Sequence, residues 1–123
     1  MKQKEQKPDA LLPLTPAVFH ILLALADGEK HGYGIMKEVT QRTGGSMRLG
    51  PGTLYGSIGR MLESGLIEAS DERPDPEVDD ERRRYYRLTD FGLRVAEAES
   101  RRLVQLVQVA RLKHVLAPSQ GGF

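Results

Sequence analysis

The sequence predicts a mainly α-helical fold that carries one β-hairpin and ends in a long helix. Apolar residues recur at helical spacing in three short segments between residues 15 and 65. Two short runs rich in branched and aromatic residues follow, as is typical of paired strands. From residue 89 to about residue 116, apolar residues return at alternating three- and four-residue steps, which indicates a helix with a packing seam. The 123 residues suffice for one domain of this kind.

The first helix begins at Thr15 and Pro16, because Thr is a favoured N-cap and Pro suits the first helical position. Its apolar face runs through Ile21 to Leu25, and the helix ends near Asp27. The preceding residues 1–12 are polar and are predicted to form a flexible arm.

The second and third helices are short and are bounded by glycines. The second is predicted over residues 33–43 and ends at Gly44 and Gly45. Residues 50–52, Gly-Pro-Gly, predict a turn, and the third helix then opens near Thr53 and ends at Gly65.

The hairpin strands are predicted at residues 66–70 and 84–88, joined by a polar segment with two prolines. The order of three helices, hairpin and long helix is the layout of a winged helix-turn-helix, in which the third helix enters the major groove. The predicted domains are a flexible arm at 1–12, a winged helix-turn-helix at 13–90, a dimerisation helix at 91–117 and a flexible tail at 118–123.

Polar side chains that lie off the apolar stripe of the third helix are candidate DNA contacts: Thr53, Tyr55, Ser57 and Arg60. Their hydroxyl groups can donate to phosphate, and Arg60 can bind guanine or phosphate. Gly52, Gly56 and Gly59 permit a close approach of a backbone, which fits either a bound duplex or helix–helix packing within the protein.

Arg82, Arg83 and Arg84 at the second strand are further candidates for phosphate or minor-groove contacts. The alternative is a solvated charge run that neutralises the acidic residues before it. The net charge is only +1, but residues 31–65 carry four basic and two acidic residues, whereas residues 66–88 carry five Arg and eight acidic residues. The acidic segment would repel phosphate, so we expect it to point away from a duplex or to be mobile.

Composition and spacing argue against an enzyme, a metal site or a cofactor. There is no cysteine, and His20, His31 and His114 fall on separate elements, where His31 is expected to cap the second helix. Glu97 and Glu99 are interpreted as solvated, and no catalytic set stands out. No signal peptide or membrane-length apolar run is visible, so a cytoplasmic protein is expected.

The long helix carries a predicted dimer interface along its seam: Leu93, Ala96, Ser100, Leu103, Val107, Ala110 and His114. In a monomer this seam would stay exposed, so a second copy of the chain is the expected partner. A winged helix that binds another protein rather than DNA is the alternative, supported by the acidic hairpin segment.

Three motifs in order resemble the PadR family of bacterial transcription regulators: HGYGI at 31–35, GTLY at 52–55 and RRYYRLTDFG at 83–92. The resemblance covers about residues 13–95 and is to the short form with one C-terminal helix. It implies a homodimer held mainly by the last helix, with the N-terminal helix packed against that helix. It also implies repression at a palindromic operator, and relief by a small aromatic or amphipathic effector.

By position, the resemblance places Tyr33, Thr53, Tyr55, Ser57 and the hairpin arginines where the family contacts DNA. Two departures stand out. Gly56 replaces a proline common in the family, which loosens the start of the helix. The chain also has no tryptophan for an aromatic effector sandwich of the kind some relatives use.

Overall fold

The structure, a computed structural model, describes residues 7–70 and 84–118. After a 3-10 turn at Pro8–Leu11, the elements are α1 (Pro16–Leu25), β1 (Lys30–His31), α2 (Gly32–Arg42), α3 (Pro51–Glu63), β2 (Ile67–Ser70), β3 (Tyr85–Leu88) and α4 (Asp90–Leu112). This order confirms the predicted fold class, a helical domain with a β-hairpin and a long final helix. None of these described helices is both long and apolar enough to cross a membrane.

Helix starts are set by the residues that satisfy the free N–H groups of a first turn. The Thr15 hydroxyl accepts a hydrogen bond from the Val18 N–H at 3.2 Å, so α1 begins as predicted. Helix α3 instead begins at Pro51, two residues before the predicted start, with Gly50 at the N-cap. Proline suits the first helical position because it has no N–H to leave unpaired. Residues 51 and 52 belong to the helix, so the predicted turn at residues 50–52 is wrong.

The hairpin belongs to a three-stranded antiparallel sheet in the order β1-β3-β2. Ile67 lies opposite Leu88, and His31 lies opposite Tyr85. The two-residue strand β1 is absent from the predictions because a run of two residues has no readable period. Its pairing fixes the start of α2 beside the first residues of β3.

Both ends of the chain depart from their predictions. Residues 8–11, predicted to lie in a flexible arm, form the 3-10 turn and pack against α4, while Leu11 and Leu12 contact the core. Helix α4 ends at Leu112 rather than near residue 116. His114 takes a φ of 64°, and the Val115 N–H donates to the Ala110 carbonyl at 2.8 Å, which closes the helix in a Schellman motif. The domain boundaries themselves stay predictions.

The core forms around α1, which packs against α2, α3 and α4. Its members are the apolar residues of the predicted helical faces, joined by residues of the hairpin: Ile21, Leu22, Ile35, Val39, Leu54, Ile58, Met61, Leu66, Ile67 and Val95. Burying such side chains stabilises the fold by roughly 1.5–3 kcal/mol each before entropy is counted. The helices are thus fixed to one another through their apolar stripes.

The first turn of α4 is joined directly to the end of α3. Thr89 caps α4 by accepting from the Gly92 N–H at 2.9 Å, and its hydroxyl donates to the Gly65 carbonyl at 2.5 Å. A Cβ on Gly92 would lie only 1.9 Å from the Leu66 carbonyl oxygen. The two backbones therefore touch, and only glycine fits at residue 92.

A buried carboxylate fixes the N-terminal segment to α4. Glu99 is 2% exposed and accepts from the Leu14 N–H at 3.0 Å and from the Arg102 Nε at 2.5 Å. The Arg102 hydrogen bond, together with that from Leu14, lowers the pKa of Glu99 against the opposing effect of burial. The interpretation of Glu99 as solvated is wrong, whereas Glu97 is exposed.

We predict that Gly92→Ala lowers the free energy of unfolding by about 3 kcal/mol or more, because backbone atoms of Leu66 block the new Cβ. Gly59→Ala is the matched control. No atom lies within 4 Å of a Cβ at Gly59, so this substitution inside α3 should stabilise by up to about 1 kcal/mol. Urea unfolding of both variants measures the difference, and equal effects would contradict the packing at Gly92.

We predict that Glu99→Gln lowers the free energy of unfolding by about 1–3 kcal/mol at pH 7, because charge-assisted hydrogen bonds are removed. The folded-state pKa of Glu99 lies below its ordinary value of 4.5. The stabilisation is therefore complete above that value and is lost as the pH falls through the folded-state pKa. Urea unfolding as a function of pH should show wild type and variant converging in acid, and a difference that grows in acid would exclude this role.

Candidate nucleic-acid interface

Helix α3 has one buried face and one exposed face. Leu54, Ile58 and Met61 are buried in the core. The opposite, exposed face includes Gly52, Thr53, Gly56 and Arg60. We call these four residues the α3 outer face. A recognition helix must offer such a face to a groove, so this is the surface through which α3 can contact DNA.

The glycines of α3 are not explained by packing within the described residues. A Cβ at Gly52 or Gly59 would meet no atom within 4 Å, and one at Gly56 would meet only the Arg60 Nη1 at 3.7 Å. A glycine inside a helix costs up to about 1 kcal/mol relative to alanine. Of the two interpretations drawn from the sequence, the close approach of an outside partner therefore fits the geometry better than helix–helix packing.

Ser57 lies off the α3 outer face, contrary to the prediction from sequence. It is 1% exposed, because its place on the helix lies next to the buried Leu54 and Ile58. The Arg60 Nη2 lies 3.4 Å from the Ser57 hydroxyl oxygen, at the long end of hydrogen-bond distance. Ser57 thus orients Arg60 from inside rather than presenting its own hydroxyl at the surface.

Tyr55 links α3 to the start of α2. It is half-buried, and its Oη would lie 2.4 Å from a Cβ at Gly32, so the ring occupies the space that glycine leaves free. Tyr33 is 50% exposed one residue later on α2. Of the two predicted tyrosine contacts, Tyr33 is thus at the surface and Tyr55 is mainly an interhelical contact.

His31 connects α2 to the hairpin. Its Nδ1 accepts from the Gly34 N–H at 2.9 Å, which confirms the predicted cap of α2. Its ring makes an edge contact with Tyr85, with centroids 5.2 Å apart. Arg84 is exposed immediately before Tyr85, the first residue of β3, which lies opposite His31 of β1. The predicted contacts Arg82 and Arg83, and the acidic segment before them, lie outside the described residues.

Charged residues on α2 divide into a structural set and an exposed cation. Arg42 pairs with Glu38 and donates to the His20 carbonyl at 3.1 Å, which joins α2 to α1. Burial, with the charge of Arg42 adding to it, lowers the pKa of His20. Lys37 is exposed and takes no part in this network. The basic character of residues 31–65 is therefore only partly available to a ligand.

The predicted dimer seam on α4 is divided by the structure. Ala96 is 7% exposed, so its own chain already covers it and it has little surface left for a partner. His114 lies beyond the helix end. Leu93 and Ser100 are exposed, and three seam residues are partly exposed: Leu103, Val107 and Ala110. The seam is thus free to meet a partner mainly in the second half of α4.

The core-facing stripe of α4 continues past the edge of the folded domain. Val95 and Glu99 are buried by the chain itself, and Leu103, Leu106 and Ala110 follow at steps of four, three and four residues. Leu106 is 53% exposed. Leu106 is not among the residues predicted for the dimer seam. A helical-wheel projection places Leu106 on the same face as Val95, because eleven residues make about three full turns.

Comparison with known proteins identifies the family. A family model of PadR-like transcriptional regulators matches residues 21–98, from α1 into α4. The transcriptional regulator Rv3488 of Mycobacterium tuberculosis is 38% identical over 86 residues, which cover 70% of this chain and 73% of that protein. The chain belongs to the PadR-like family of transcriptional regulators. The predicted resemblance is confirmed.

Other relatives agree in fold. A PadR family regulator from Clostridium difficile R20291 superposes with a TM-score of 0.66 at 26% identity, over 80% of this chain and 97% of that one. A PadR-like regulator from Bacillus cereus gives a TM-score of 0.64 at 20% identity over 94% of this chain and all of that one, which supports the fold alone. An uncharacterised 37.1 kDa transposon protein of Streptomyces fradiae is 36% identical over 86 residues, but the match spans only 22% of its length.

Proposed function

We propose that this PadR-like protein is a homodimeric repressor that acts in the cytoplasm and binds a palindromic operator. The observation that carries the proposal is the α3 outer face. It has open glycines and an oriented Arg60, and it lies directly opposite the buried face that fixes the helix. A small aromatic or amphipathic effector that releases the protein from DNA belongs to the proposal through the family resemblance.

Each group of DNA-facing residues has a defined role in the proposal. Thr53 and Arg60 enter the major groove, where a guanidinium can bind guanine in bidentate fashion. Tyr33 and the arginines at residues 82–84 bind the phosphate backbone. These phosphate contacts supply affinity that does not depend on base sequence and that falls with salt.

The uncovered stripe of α4 supports the proposed dimer. Leu103, Leu106 and Ala110 continue a stripe that the chain buries up to Glu99, so a second copy packed along it would extend the same core. Further exposed apolar side chains lie nearby: Val104, Val109, Leu112, Val115 and Leu116. Two copies related by a two-fold axis would place two α3 outer faces on successive turns of one duplex.

We predict that Leu106→Asp weakens dimerisation by at least about 100-fold. A symmetric dimer loses two leucines, each worth roughly 1.5–3 kcal/mol of burial. Sedimentation equilibrium at micromolar concentration measures the change. Gln108→Asp, which adds the same charge on the opposite side of α4, should leave the dimer intact. A wild-type protein that sediments as a stable monomer would exclude the proposed assembly.

We predict that Arg83→Ala weakens binding evenly across DNA sequences. The slope of log affinity against log salt concentration should become shallower by about 0.9 for each phosphate that the arginine neutralises.

We predict that Arg60→Ala weakens DNA binding by about 1–3 kcal/mol and relaxes the base preference, because its guanidinium binds a base edge in the proposed complex. Mobility-shift titrations at several salt concentrations on DNA selected from random fragments measure both. Arg101→Ala, an exposed cation on α4, is the control. Failure of the wild type to select any DNA would favour a protein-binding adaptor instead.

A further inference from the structure

The end of α3 and the start of α4 are joined by direct contacts, although the hairpin separates them in sequence. Helix α3 ends at Glu63, and Gly65 and Leu66 then contact the first turn of α4. The Thr89 N–H donates to the Leu66 carbonyl at 3.2 Å, and the Thr89 hydroxyl donates to the Gly65 carbonyl at 2.5 Å. The N-cap residue of α4 therefore holds both of these residues that follow α3.

This junction leaves α4 almost no freedom to tilt. A Cβ at Gly92 would lie 1.9 Å from the Leu66 oxygen and 2.9 Å from the Leu66 carbonyl carbon. The contact joins backbone to backbone, so no side-chain rotation can relieve it. A tilt toward Leu66 is blocked, and a tilt away breaks the Thr89 hydrogen bonds.

The length of α4 amplifies any change at the junction. Leu106 lies fourteen residues after Gly92, which is about 21 Å along a helix that rises about 1.5 Å per residue. A tilt of about 10° at Gly92 would move the Leu106 region by about 4 Å, and this shift is close to the axial rise of about 3.4 Å for one base pair. In a two-fold dimer both halves move, so the displacement between the two α3 helices is larger still.

We propose that Thr89 and Gly92 determine the spacing between the two DNA half-sites that the dimer accepts. This inference rests on the proposed function, because it requires two copies that bind one duplex. Neither residue touches DNA or the partner in this proposal. They act by fixing the angle between the dimerisation helix and the recognition helix.

The test separates the cap of α4 from the junction. In Thr89→Asp the carboxylate still accepts from the Gly92 N–H and suits a helix N-terminus, but it cannot donate to the Gly65 carbonyl. Thr89→Ser keeps both bonds and serves as the conservative variant. Thr15→Asp is the matched control, since Thr15 caps α1 through the Val18 N–H away from this junction. If Thr89→Asp does not fold, Thr89→Val takes its place; it removes the bond to the Gly65 carbonyl together with the cap, so Thr15→Val, which removes only the cap of α1, becomes its matched control.

Each variant is titrated against duplexes that carry two copies of the wild-type half-site at spacings varied in steps of one base pair. The wild type, Thr89→Ser and Thr15→Asp should share one sharp optimum. Thr89→Asp should remain a dimer by sedimentation, yet either shift its optimum by at least one base pair or discriminate at least fivefold less against neighbouring spacings.

An unchanged spacing profile in Thr89→Asp would overturn the inference, and so would an equal loss of affinity at every spacing. In both cases the proposed repressor function would stand, because the wild type would still bind with a defined spacing. A wild type that binds none of these duplexes would overturn the proposed function and the inference with it.

Discussion

The contact between the Gly92 backbone and the Leu66 carbonyl is the constraint on which the rest of the fold depends. A Cβ at residue 92 would lie 1.9 Å from that oxygen, so the two chain segments meet with no room for a side chain between them. At this point the end of α3, the start of β2 and the start of α4 converge. Helix α3, the hairpin and helix α4 therefore meet at one place.

The charged residues show why the net charge says little about function. Arg42, Glu38 and Lys30 are committed to holding α1 and α2 together, and Arg102 is committed to the buried Glu99. A buried carboxylate requires such partners, because burial without them would be too costly. Arg60 on α3 and Lys37 on α2 are exposed and take no part in these ion pairs.

Several side chains lie in surroundings that the sequence did not predict. Ser57 is polar and was expected at the surface, yet it lies beside Leu54 and supports Arg60 instead. Ala96 fits a heptad pattern, but it is buried in the core of its own chain. Glu99 looks like any exposed helical glutamate until Leu14 is brought against it from 85 positions away in the chain. In each case the neighbour that decides the outcome is outside the local pattern.

The sequence by itself determined the fold class, the order of the main elements, the caps at Thr15 and His31, and the family. These features depend on local periodicity, capping chemistry and short motifs, all of which are written in neighbouring residues. Only the tertiary structure decided the short strand β1, the buried state of Glu99 and the backbone contact at Gly92. Each of these arises where segments far apart in the chain meet, and no local pattern encodes the distance between them.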